Sequence, residues 1–139
     1  MLKIILKAFS VFVGVGCFGG IFGSMNIFIG ENLRLGWGGW FFTFIAILIG
    51  VIIGFILVNR LLHYHGSLLL GVMGSTVGLG ASVLFLGRFF TQILNDLGLV
   101  GLGGTYAWFA VHAIAAALLG TLGFHLGWIM PELPPSMKS

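Results

Sequence analysis

Four long apolar stretches separated by brief polar interruptions set the pattern of this chain. They cover residues 4–29, 37–58, 67–87 and 105–130. A hydrocarbon layer about 30 Å thick takes about 20 residues of helix to cross, and each stretch is long enough. None shows strand-like alternation. In lipid every backbone donor and acceptor must be paired internally, which favours helices. The pattern predicts an all-α chain, one domain over 1–139, folded as a four-helix transmembrane bundle with short loops.

The interruptions are polar and mostly short. Residues 30–36 hold Glu31, Asn32 and Arg34, and residues 59–66 hold Arg60, His63, Tyr64 and His65. The longest connection is 89–104. Its first part, 89–96, reads as a short helix lying in the interface. Its second part, 98–104, is glycine-rich and reads as irregular. The tail 131–139 carries three prolines and is expected to leave the membrane extended. Lys3 and Lys7 ahead of an apolar run imitate a signal peptide, but the uncharged run 8–29 exceeds a signal core of about 7–15 residues, so a retained helix is expected.

Composition agrees with a lipid solvent. The chain is 59% hydrophobic and 6% charged, against about 25% charged in soluble domains. Six basic and three acidic side chains cannot coat a water-facing surface. The net charge of +3 is scattered, with no Lys/Arg run to follow a phosphate backbone, so nucleic acid is excluded as a partner. Lys3, Lys7, Arg60 and Lys138 fall on one side of the bundle and Arg34 and Arg88 on the other, a modest bias that favours both termini in the cytoplasm over an inverted or dual topology. Trp37, Trp40, Trp108 and Trp128 lie near span ends, as an aromatic belt requires. The single cysteine, Cys17, has no intrachain disulfide partner.

Many of the 24 glycines recur at four-residue intervals inside the spans. Gly16 and Gly20 lead to Ser24. Ala46 is followed by Gly50 and Gly54, Gly74 and Gly78 lead to Ser82, and Ala116 precedes Gly120. Residues four apart share a helix face, so each series makes a flat groove. Helices in lipid associate through close van der Waals contact, which small residues permit. Gly16, Gly20, Gly50, Gly54, Gly74, Gly78 and Gly120 are therefore the expected helix-packing positions. Such faces could also receive a lipid, a pigment or a quinone.

A polar layer is expected toward the non-cytoplasmic side. Ser24, Thr43, Ser82 and His112 each extend a small-residue face, five to eight residues inside the helix end, and Asn26 lies shallower on another face. That is roughly 8–12 Å of depth. The layer reads either as interhelical hydrogen bonding or as a hydrophilic path with His112 as its titratable member.

The histidines are the candidate ligands for haem or a chlorophyll-type pigment: His63, His65, His112 and His125. His112 and His125 stand about 20 Å apart along one helix and point about 140° apart, so they cannot share an ion. A two-haem arrangement lacks a fourth ligand. A single haem between His125 and the end of the second helix would need His63 or His65. No His/Cys/Asp/Glu spacing resembles a metal site. The acidic residues Glu31, Asp96 and Glu132 all fall outside the predicted hydrocarbon, and no Ser/His/Asp or paired-carboxylate arrangement is present. No enzymatic activity is expected.

Size and helix count resemble the small fluoride channels, and Gly19-Gly20-Ile21-Phe22-Gly23 is similar to their first-helix glycine cluster. The arginine that should follow is absent, with Asn26 near its place. Gly71-Val72-Met73-Gly74-Ser75-Thr76-Val77-Gly78 stands where their Thr/Phe/Ser-rich signature belongs. The sequence is assigned to no family. The leading expectation is a non-catalytic multi-pass subunit packing within a larger membrane assembly, in contact with lipid, other subunits or copies of itself. The alternatives are a small homo-oligomeric channel or transporter built on the polar layer, and a single-haem electron carrier.

Overall fold

The computed structural model describes residues 1–33, 36–62 and 66–126; of residues 31–33, 36–39 and 62 it describes the backbone alone. The expectations that fall on Arg34, His63, Tyr64, His65, Trp128 and the tail 131–139 lie outside the described residues, as do the side chains of Glu31 and Trp37. The described chain is an all-α bundle. Helix α1 covers Leu2–Leu33 and α2 covers Gly36–Leu62. Helix α3, Leu68–Ala81, passes through a π turn, Ser82–Leu86, directly into α4, Gly87–Asp96. Helix α5 covers Gly101–Leu126. Four segments are long and apolar enough to cross a membrane: Leu2–Gly30, Trp40–Leu61, Leu68–Asp96 and Gly101–Leu126.

Two boundaries differ from expectation. Residues 89–96 do not form a separate interfacial helix. They continue the third span, which runs 29 residues without a break because the π turn absorbs the misfit instead of ending the helix. The glycine-rich stretch is not irregular to residue 104. The chain reverses over residues 97–100, with Gly98 at φ 72° and Gly101 at φ 68°, and α5 is already helical from Gly101. Only glycine adopts those angles without steric cost. Ser67 caps α3 by accepting a hydrogen bond from the Leu70 amide at 3.3 Å.

The bundle is built from two tight pairs, α1 with α2 and α3 with α5. Looser contacts of α1 with α5 and of α2 with α3 join them. Glycines set the spacing within each pair. A Cβ at Gly54 would lie 2.9 Å from Val15 Cα, and one at Gly50 would collide with the Phe18 carbonyl. In the second pair a Cβ at Gly78 would lie 2.7 Å from the Ala115 carbonyl oxygen; Gly74 meets the Leu119 carbonyl and Gly120 meets Ser75 Oγ. The α1 side of its seam uses other residues than expected. Gly14, Gly19 and Gly23 face Val58, Val51 and Ile47, whereas Gly16 makes an ordinary 3.6 Å contact with Ala117 and Gly20 meets nothing within 4 Å. Three and four residues apart both fall on one helix face, and sequence spacing alone does not choose between neighbouring columns.

The pairs close over Val11, Val15, Ile47, Val51, Phe55 and Phe124, all buried, with Phe55 and Phe124 stacked at 5.2 Å. At the opposite end Trp40, Phe44, Trp108 and Phe109 form a cluster of tilted and edge-to-face rings with centroids 5.2–6.0 Å apart. Outside, Phe9, Phe28, Leu84, Phe85 and Leu122 are all exposed. The exposed hydroxyls of Ser10 and Thr76 donate to the carbonyls of Leu6 and Val72, one turn back, at 2.9 Å each. A hydroxyl facing hydrocarbon has no water to bond and turns to its own helix.

Candidate functional site

The residues of the expected polar layer are divided into two pairs. Asn26 Nδ2 donates to Thr43 Oγ1 at 2.9 Å, joining α1 to α2. Ser82 Oγ and His112 Nδ1 lie 2.7 Å apart, joining the π turn to α5. Thr43, Ser82 and His112 are buried. Ser24, not Asn26, is the outlying member. It is exposed and lines a crevice of about 40 Å³ with Gly19, Gly20, Gly23 and Tyr106. The rotation of α1 that puts Gly19 and Gly23 on the α2 seam brings Asn26 to Thr43 and turns Ser24 away.

The Ser82–His112 pair has a readable proton arrangement. Ser82 Oγ also bonds the Leu79 carbonyl at 3.0 Å, and a carbonyl can only accept. The single hydroxyl hydrogen is thus committed to Leu79, and His112 Nδ1 must donate to Ser82 Oγ. That assignment leaves Nε2 as the unprotonated nitrogen. Nε2 is buried and has no hydrogen-bond partner among the described residues. It is enclosed by aromatic rings: Trp108 crosses the imidazole at 4.1 Å and 72°, and Phe90 at 6.1 Å and 85°. The serine is not poised as a nucleophile, because its proton points away from the His112 imidazole and both residues are buried.

Trp108 ties this cluster to the wide turn. Its Nε1 donates to the Gly87 carbonyl at 3.3 Å, which also accepts from Thr91 Oγ1 at 2.8 Å. Gly87 is buried against the indole, with a would-be Cβ 3.5 Å from the Trp108 ring. Trp108 is expected in the aromatic belt; its place beside His112 is a feature the belt does not predict. The spacing of four residues between them on one helix was the available signal.

Of the candidate haem or pigment ligands, His112 is enclosed as described. His125 donates from Nδ1 to the Thr121 carbonyl at 2.6 Å. His63 and His65 lie outside the described residues. Among the described residues no group of three His, Cys, Asp or Glu side chains could hold a metal ion.

A second feature flanks the aromatic end. Arg88, Thr91, Gln92, Asn95 and Asp96 of α4 and Trp108 of α5 line a groove of about 540 Å³. Beside it Trp40, Leu94, Leu99 and Thr105 contribute to a smaller one of about 240 Å³. Comparison with protein families, characterised proteins and solved structures finds no match.

Proposed function

We propose that this protein is a non-catalytic, multi-pass membrane subunit that packs within a larger membrane assembly, with both termini on the cytoplasmic side. The observation that carries this reading is the uncovered face of α1. Over its apolar 18-residue stretch only 17% of α1 is buried within the chain, against 50% for the corresponding stretch of α5. That face carries large apolar side chains, among them Val13, Ile21 and Phe28, with small residues between them. Cys17 and Ser24 are exposed, and Gly20 meets nothing within 4 Å. Glycine inside a helix costs about 1 kcal/mol relative to alanine in water, and here no contact within the chain offsets it. A close-packed neighbouring helix would. Orientation follows from Lys3, Lys7, Arg60 and Lys138 outnumbering Arg34 and Arg88.

The channel or transporter reading has less support. Thr43, Ser82 and His112 are buried and bonded within one chain, so a path would have to run between copies, past Ser24. Single-haem electron transfer would depend on His63 or His65.

Native mass spectrometry of gently solubilised native membranes tests the proposal. The expected result is this chain in a defined stoichiometry with at least one other polypeptide. A stable homo-oligomer with no other polypeptide would refute it. An absorbance spectrum of the same sample reads haem or pigment directly.

A further inference from the structure

We propose that the groove between α4 and α5 is a binding site for the headgroup of a phosphatidylethanolamine-type lipid, whose phosphate sits at Arg88 and whose ammonium sits at Asp96. The inference rests on the membrane placement of the spans. It does not depend on whether the chain docks into a larger assembly.

Depth is the first argument. Arg88 comes 20 residues after Leu68, the start of its span. That length of helix rises about 30 Å, the thickness of the hydrocarbon layer. The groove therefore opens at headgroup level, and Trp40 and Trp108 beside it are the residues expected there.

Charge is the second. Arg88 and Asp96 are exposed on the wall of one groove, yet neither has an ion-pair partner among the described residues. Eight residues separate them along α4, a rise of about 12 Å. That is too far for a direct pair and comparable with a phosphoethanolamine zwitterion hydrogen-bonded at both ends. Gln92 and Asn95 lie between and supply amide donors and acceptors.

The order of the charges is the third. Arg88 lies on the hydrocarbon side and Asp96 farther out. In a phospholipid the phosphate likewise lies nearer the acyl chains than the amine does. Leu84 and Phe85, 80% and 81% exposed, precede Arg88 on the hydrocarbon side, where acyl chains would run. Arginine matches phosphate with paired N–H donors. Asp96 selects the amine: a primary ammonium donates hydrogen bonds to the carboxylate, a trimethylammonium cannot, and a glycerol headgroup brings no cation.

The test uses the full chain purified in a non-ionic detergent. It is offered phosphatidylethanolamine, phosphatidylcholine or phosphatidylglycerol with matched acyl chains, and bound lipid is counted by native mass spectrometry. Soluble phosphoethanolamine and inorganic phosphate form two further arms. Ethanolamine lipid should be retained about tenfold over the other two, the ratio a single charge-assisted contact supports. R88Q should lower its retention about tenfold. D96N should bring it to the choline-lipid level while leaving choline-lipid retention unchanged. Both side chains are exposed, so helix content and elution volume should match the parent protein. Equal retention of all three lipids, or no effect of either substitution, would overturn the proposal. Soluble phosphoethanolamine binding as well as the lipid would overturn the assignment to lipid.

Discussion

Substituting Gly78 and Gly80 by alanine separates helix propensity from helix contact within a single turn of α3. In either place alanine should favour the helix by up to about 1 kcal/mol on the scale measured in water. The surroundings differ. A Cβ at Gly80 meets nothing within 4 Å. One at Gly78 lies 2.7 Å from the Ala115 carbonyl oxygen and 3.0 Å from Leu119 Cβ, where ordinary contact begins at 3.4 Å. Relieving that overlap moves α3 away from α5 by about 0.7 Å, and a gap of that size forfeits a quarter to a half of the dispersion energy of the atoms it separates. Overpacking of this kind costs about 1–3 kcal/mol. Gly80→Ala should therefore be neutral or stabilising by up to about 1 kcal/mol, and Gly78→Ala should fall about 1–3 kcal/mol below it, a net destabilisation of up to about 2 kcal/mol. Unfolding in mixed micelles, followed by circular dichroism as the denaturing detergent fraction rises, reads both variants against the parent. Equal midpoints for the two would refute the claim that the α3–α5 seam depends on a missing side chain.

A double-mutant cycle of Ser82→Ala and His112→Leu, read by the same unfolding assay, should give a coupling energy of about 0.6–1.7 kcal/mol; additive effects would mean that the 2.7 Å contact contributes nothing. Trp108→Phe keeps one aromatic ring but removes the other half of the indole with its Nε1 donor to Gly87; Thr91 still bonds that carbonyl, so the hydrogen-bond part of the loss should stay below about 1.5 kcal/mol and the space left beside His112 should add to it, lowering the midpoint in the same assay. Cys17 is exposed in the middle of α1, so in intact membranes it should resist charged thiol reagents and react once the membrane is dissolved in denaturing detergent, as mass spectrometry of the adduct would show. Rapid labelling of Cys17 in intact membranes would mean that this face of α1 meets water.

The class of fold was legible because it depends on length and apolar content, which local sequence carries. Boundaries at Leu2, Leu33 and Leu62 ran a few residues beyond the apolar stretches, since a helix continues until the chain must turn. The π turn at Ser82–Leu86 left no trace in the apolar pattern, and Arg88 read as a stop although the helix passes through it. Counting residues placed Thr43, Ser82 and His112 at similar depth. It could not pair them, because pairing depends on the rotation of each helix about its axis. In α1 the column Gly16/Gly20/Ser24 has a second pair of small residues, Gly19 and Gly23, a quarter-turn away. The contact with Ile47 and Val51 selected the second, and that choice carried Asn26 inward and Ser24 outward.

The strongest seams join neighbours in sequence, α1 to α2 and α3 to α5, and only looser contacts cross between them. Biogenesis can then proceed by halves: the first hairpin has its mate as soon as residue 62 has emerged, before anything downstream exists. A chain halted with Leu62 just clear of the ribosome would leave a closed hairpin in the bilayer. One halted with Asp96 just clear would leave α3 touching only α2, with Gly74 and Gly78 not yet covered by α5, a form that membrane quality control should recognise and degrade.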